Sequence, residues 1–186
     1  CCPTGGTAPA GTCRDPLNDV NNCGGCGNAC AAGQTCCGGG CKDLLADANN
    51  CGVCGNACAA GQTCCGGACV EPNVDDPNAS APFVDANCDG VDGVAAKAYF
   101  VDALTTCTSN FGTKACPMRS IQVAINASSA SLSTGTPKPS VLVSAATYNE
   151  SITLKRGVSV YGGYSAAQNW VRSASSVVTI NGGTTA

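Results

Sequence analysis

Residues 14–41 read RDPLNDVNNCGGCGNACAAGQTCCGGGC, and residues 42–69 read KDLLADANNCGVCGNACAAGQTCCGGAC. These are one 28-residue unit written twice, each copy carrying six cysteines at the spacing C-x2-C-x3-C-x5-C-C-x3-C. A fixed period of this length is the mark of a repeat architecture. Ahead of the two copies, CCPTGGTAPAGTC (1–13) carries the closing C-C…C of the same unit across a longer gap, and it reads as a truncated third copy. One unit has no Phe, Tyr or Trp and only a few aliphatic residues. It cannot bury enough apolar surface to offset the entropy of its own chain.

Cross-links have to stand in for the missing core. Each disulfide restricts the unfolded chain and typically stabilises by about 2–4 kcal/mol. The rival is a metal cluster, because Cys23-x2-Cys26 and Cys51-x2-Cys54 have zinc-ligand spacing. Against it stand the absence of His, the scarcity of basic residues to offset thiolate charge, and the adjacent pairs Cys36/Cys37 and Cys64/Cys65. The expectation is disulfides and no zinc, with Cys23, Cys26, Cys30, Cys36, Cys37, Cys41, Cys51, Cys54, Cys58, Cys64, Cys65 and Cys69 all bridged. Cys107 and Cys116 flank the short loop TSNFGTKA and are natural partners. Cys88 is then left to pair with a cysteine of the first segment, so no thiol should be free. The connectivity within the repeats is not readable from spacing. Such a framework belongs to an oxidising, extracellular setting.

Outward from the repeats the composition changes. Of the 18 cysteines in the 186-residue chain, 15 lie in the first 69 residues. Charge divides in the same places: -2 over 1–69, -5 over 70–98 and +4 over 99–186. Three parts are therefore expected: cysteine-rich repeats (1–69), an acidic linker (70–97) and an aliphatic, Ser/Thr-rich tail (98–186). The lack of His excludes Ser-His-Asp and Cys-His catalysis. No apolar run has the length of a membrane span, and a net charge of -3 gives no footprint for nucleic acid.

Within the linker, Asp85, Asn87, Asp89 and Asp92 place side-chain oxygens at near-alternate positions, with Gly90 and Gly93 beside them. A loop wraps calcium in this manner, so the four are the candidate metal ligands. The alternative is a plain Asx turn. The twelfth position of an EF-hand loop is Ala96 here, where a bidentate Glu is required. Calcium, if bound, is expected in a structural role.

In the tail, Ala98–Val101 reads as a strand, and the apolar spacing of Met118, Ile121, Ala124 and Ile125 predicts a helix over 117–127 starting at Pro117. Loop follows over 128–139. The β-branched runs Val141–Val143, Ile152–Leu154, Val158–Tyr161 and Val177–Ile180 are separated by Gly/Asn corners, the pattern of a parallel β-solenoid. A small β-sandwich is the alternative.

The run DLLADANNCGVCGNACAAGQTCCGGAC resembles the stigma-specific cysteine-rich repeat, named from plants and abundant in secreted proteins of myxobacteria-like bacteria. This resemblance covers about residues 1–70 and implies a secreted, disulfide-bonded module without catalytic residues. PMRSIQVAINAS followed by VLVSAATYNESITLKRGVSVYGGYSAAQNWVRS resembles the opening of right-handed parallel β-helices of the pectin-lyase-like class. It implies a short right-handed parallel β-helix with an N-terminal capping helix. Ile121 and Ile125 would cover the first coil, with Val141, Val143, Ile152, Leu154, Val158 and Val160 in the stack and Trp170 near a corner.

The fold class expected is thus small disulfide-rich repeats plus an all-β part. The function expected is that of a non-enzymatic, extracellular structural or adhesive protein of a bacterial cell surface, a filament subunit joining through the open β-helix edge. Solenoid ends need covering, because the last coil exposes backbone groups and apolar side chains. The alternative is a fragment of a carbohydrate-binding or polysaccharide-lyase-like β-helix with a surface polysaccharide as partner. Lys155, Arg156 and Arg172 would be its bases, Asp102 and Glu150 its only acids, and Tyr148, Tyr161, Tyr164 and Trp170 its sugar-stacking rings.

Overall fold

The computed structural model describes residues 15–72, 74–75, 77, 83, 85–109 and 111–182. Cys1, Cys2 and Cys13 lie outside them. The chain forms two compact units, Cys1–Pro72 and Asn73–Ala186. From Asn73 on, the acidic segment read from the sequence as a separate linker therefore falls in the same unit as the strands that follow it.

In the first unit each repeat closes on a hairpin. Strands β1 (Thr35–Cys37) and β2 (Gly40–Lys42) pair antiparallel, as do β3 (Thr63–Cys65) and β4 (Ala68–Val70). The turns are Gly38-Gly39, at φ 58° and 83°, and Gly66-Gly67, at 58° and 84°. Two central residues at positive φ match the twist of a two-residue hairpin, which is why this position is Gly-Gly in both copies. Polar side chains organise what precedes the hairpin. Asp15, Asp19, Asp43 and Asp47 each accept from the backbone N–H two residues on. Asn22 and Asn50 accept from the N–H of Gly27 and Gly55, while Asn28 and Asn56 donate to the carbonyls of Cys23 and Cys51. This Asx-turn chemistry accounts for the Asp and Asn positions shared by the two copies.

Among the described residues of this unit the buried apolar ones are all cysteines, Cys23, Cys36, Cys51 and Cys64, with Asn50 buried beside them. Cys23–Cys36 and Cys30–Cys41 close the first repeat, and Cys51–Cys64 and Cys58–Cys69 close the second in the same way. Cys37–Cys54 joins one repeat to the next. With sequence separations of 11 to 17, each restricts the unfolded chain by roughly 3 kcal/mol. Cys26, Cys65 and Cys88 are also disulfide-bonded, and Cys107 pairs with Cys116. Every described cysteine assigned to a bridge from the sequence is in one.

The second unit is mostly sheet and coil. Strands β5 (Ala98–Val101), β6 (Ser140–Ser144) and β8 (Ser159–Ser165) lie parallel in that order, and β9 (Val171–Arg172) adds antiparallel to the end of β8. A second parallel pair joins β7 (Thr147–Tyr148) to β10 (Thr179–Ile180). The sheet is covered on both faces, as parallel sheets are. Helix α1 (Ile121–Ser131) sets Ile121, Ala124 and Ile125 against Val101, Val141, Val143 and Tyr148. On the other face Leu142 meets Phe100, Tyr164, Trp170 and, from the acidic segment, Val91. Trp170 sits at φ 66°, a conformation costly for a bulky residue; its burial to 3 % and an edge-on contact with Phe100 at 4.7 Å hold it there.

Several boundaries differ from the sequence expectation. Helix α1 starts four residues after Pro117, because Met118 still bonds β5 in strand fashion, donating to Phe100 and accepting from Asp102. It also runs into the expected loop, where the buried Ser128 and Ser131 hydroxyls bond the backbone of Lys138. Ile152–Leu154 forms no strand, and Leu154 is 66 % exposed rather than stacked. Val177 is equally exposed, which leaves only Thr179–Ile180 of the last run as strand.

Burial pushes the Tyr148 phenol up to about 12, and burial, above all, raises Tyr164 as well. Unfolded tyrosine ionises near 10, so above that pH the unfolded chain binds fewer protons than the native one. The stability contributed by these two phenols is present below pH 10 and drains away as pH climbs toward 12. The melting temperature should hold up to about pH 10 and then fall, with part of the 295 nm phenolate signal delayed until unfolding. A single transition of all four tyrosines near pH 10 in the folded protein would contradict this.

Candidate functional site

The residues expected to hold calcium are brought together in part. Asp85 accepts from the N–H of Asp89 (3.1 Å) and of Gly90 (2.8 Å). Asn87, 1 % exposed, accepts from Asp89 N and donates its amide to Asp89 Oδ2. Asp89 accepts in turn from Val91 N (3.2 Å) and Ala95 N (2.7 Å). The loop is thus wound around three side chains by its own amides, with Gly90 at φ 89° making the bend. Lys114 closes it from outside, its ammonium donating to Gly90 O at 2.8 Å.

Asp92 has a different partner. Its Oδ2 pairs with Arg172 Nη1 at 2.8 Å, with the two side chains 4 % and 14 % exposed. Arg172 also donates to Gly162 O and Pro77 O, and its guanidinium lies over the rings of Phe83 and Tyr164 at 4.6 and 5.3 Å. Asp92 O accepts from the Tyr164 hydroxyl. The other carboxylate oxygen, Oδ1, is buried and without a hydrogen-bond partner. An ion pair enclosed this way locks the acidic loop to the sheet end, since separating either partner would strand a buried charge.

Glu150 performs a task that its sequence position did not disclose. Its carboxylate accepts from Ile121 N (2.7 Å), Gln122 N (3.0 Å) and the Ser120 hydroxyl (2.7 Å). Ser120 in turn caps α1 by accepting from Val123 N. A carboxylate at a helix start satisfies orphan amides and meets the positive end of the helix dipole. The adjoining residues of Thr147-Tyr-Asn-Glu150 are equally engaged. Tyr148 donates from its buried hydroxyl to strand carbonyls, and Asn149 accepts from Asn181 at 3.1 Å. Thr179-Ile-Asn181 lies 32 residues after Thr147-Tyr-Asn149, in register with it. That recurring T-x-N was the available signal for the second parallel pair.

Of the residues proposed for sugar chemistry, Tyr161, Tyr164, Trp170 and Arg172 are brought together, but in side-chain packing rather than on an open face. Tyr148, Tyr164 and Trp170 are buried, Arg172 is bound to Asp92, and Lys155 and Arg156 are exposed away from any carboxylate ion pair. A shallow cleft of about 450 Å³ does run past the C-terminal ends of β5, β6 and β8, with Asp102, Thr105, Thr106, Lys114, Ser144 and Ser165 among its lining. In the first unit, two sulfur triads have atoms within 4.8 Å of one another: Cys23, Cys30 and Cys41, and their copies Cys51, Cys58 and Cys69. All six are disulfide sulfurs, which offer no thiolate to a metal.

The model of the stigma-specific STIG1-like protein family matches residues 1–70 and 32–89, two overlapping placements that cover the repeats and, in the second, run on into the acidic segment. The cysteine-rich segment is similar to that family. No curated protein and no solved structure matches the chain. Extensive disulfide bonding and the STIG1-like likeness are consistent with an extracellular or secreted protein. Among the described residues no helix is long and apolar enough to cross a membrane.

Replacing the helix-capping carboxylate tests its role. Glu150→Gln should cost about 1–2 kcal/mol in urea unfolding, the worth of a charged group at a partly buried helix start. A loss under about 0.3 kcal/mol would show that the helix start stands without the charge.

Proposed function

We propose that this is a non-enzymatic, extracellular structural or adhesive protein of a bacterial cell surface, with disulfide-laddered repeats joined to the beginning of a right-handed parallel β-helix. The observation that carries the reading is Cys37–Cys54, which makes neighbouring repeats a covalent array rather than two separate modules. The β-helix reading is supported by the stacking of β5, β6 and β8 in parallel and in chain order, accompanied by the parallel pair β7 and β10. Only Ala145 and Ala146 separate β6 from β7, a corner of the kind successive coils share. Helix α1 lies over β5 and β6, where a cap of the first coil would sit.

Self-association belongs to the proposal. Strand β10 pairs with β7 on one side, and its neighbourhood exposes Val177 at 66 % and Ile180 at 40 %. A strand edge flanked by exposed β-branched residues is a template for another copy, and a head-to-tail contact of this kind propagates into a filament. Light scattering and negative-stain microscopy should show growth with concentration, abolished by Ile180→Lys. A wild-type protein that stays monomeric at high concentration would remove the filament reading.

A second reading, binding of a surface polysaccharide, draws support from the hydroxyl-lined cleft at the strand ends. A structural calcium ion is the remaining element, with Asp85, Asn87, Asp89 and Asp92 as the residues that would hold it. The buried, unpartnered Asp92 Oδ1 supports it. Calcium in excess over EGTA should then raise the melting temperature of the wild type and leave that of Asp89→Asn unchanged. An identical wild-type melt in both conditions would show that the loop's own amides suffice.

A further inference from the structure

The bridges of the first unit overlap. Cys23–Cys36 encloses residues up to 36, and Cys30–Cys41 begins inside that loop and ends beyond it. Cys37–Cys54 begins inside the second loop and reaches into the next repeat. There Cys51–Cys64 and Cys58–Cys69 overlap in the same manner. Every peptide bond from Cys23 to Cys69 consequently lies inside at least one disulfide-closed loop.

From this connectivity we infer that the repeats form a nick-tolerant, inextensible tether, in which no single backbone cleavage between Cys23 and Cys69 severs the chain and Cys37–Cys54 carries its continuity across the repeat boundary. The inference stands on the bridges alone and holds whether or not the protein is adhesive or filamentous. Hydrolysis of one peptide bond adds one water and breaks one C–N bond, while the S–S bonds, untouched, still connect the two pieces. A folded domain without disulfides loses covalent continuity at the first cut in an exposed loop. This one has exposed turns throughout and little core to shield them, so redundancy of the covalent path replaces burial as the protection.

The same path limits extension. A reduced chain from Cys23 to Cys69 stretches to roughly 150 Å at about 3.3–3.6 Å per residue. Through these five bridges the shortest covalent route passes from Cys23 to Cys36, from Cys37 to Cys54, along four residues to Cys58 and across to Cys69. The three crossings measure 5.6, 5.4 and 5.4 Å between α-carbons. Adding the few intervening residues gives roughly 35 Å, about a fourfold reduction in reach. A load applied along the repeats is therefore borne by covalent bonds once this shorter reach is taken up.

The boundary can be cut selectively. Lys42 is the one Lys or Arg between Cys23 and Cys69, and the stretch from Cys41 to Cys51 is enclosed by Cys37–Cys54. Asn49→Arg, in the exposed turn of that stretch, supplies a second tryptic site should Asp43 slow cleavage at Lys42. The full chain is digested with trypsin and analysed by mass spectrometry with and without reductant. The piece ending at the cut and the piece beginning after it should remain one species, heavier by one water, and separate completely on reduction. In Cys37→Ser/Cys54→Ser the same cut should release them without reductant. Release from the wild type before reduction would overturn the inference, as would persistence of the linked species in the double variant, which would place the boundary connection elsewhere.

Discussion

Sulfur does in the first unit what apolar burial does in the second, and the whole architecture follows from that substitution. A repeat without an aromatic ring cannot gain enough from burial to order its backbone. Two internal bridges per repeat shrink the unfolded ensemble instead, and they need only glycine turns and Asx turns to bring the cysteines within reach. Where side chains would normally fill space, backbone approaches backbone. A Cβ at Gly24 or Gly52 would collide with the carbonyl oxygen of Gly39 or Gly67.

The second unit obeys the opposite rule. Strand β6 is buried from Val141 to Ser144 and supplies both layers of the core, Val141 and Val143 toward the helix, Leu142 toward Trp170. Such a strand needs a cover on each face. Helix α1 provides one, anchored through Glu150. The acidic segment provides the other, anchored through Asp92 and Arg172. Two carboxylates, one read from the sequence as a candidate calcium ligand and the other as a candidate acid, thus act as fasteners. Both act at places where burial makes a lost partner expensive.

Much of this was legible in advance for a physical reason. The repeat period and the Cys107–Cys116 clip are local in sequence, and local chemistry determines them. The buried strand β6 was legible because β-branched runs have few other uses. The start of α1 was not, because a strand-like bond from Met118 to Phe100 outweighs the preference of Pro117 for a first helical turn. Leu154 was misplaced because an apolar residue between polar ones fits a strand pattern equally well whether or not a neighbouring strand is there to receive it. Glu150 went unrecognised because its three partners lie some thirty residues earlier in the chain.

By itself the sequence determined that the cysteines are bridged, that the repeats are equivalent, and that the tail contains strands enough for a core. Composition and periodicity suffice for these, since they depend on what each segment can bury. Which cysteine meets which was left to tertiary structure, because six thiols at one spacing admit 15 pairings. Tertiary structure alone also decided that Cys37 crosses to the next repeat and that the acidic segment packs on the sheet. Those are relations between distant segments, fixed by geometry in space rather than by neighbours in the chain.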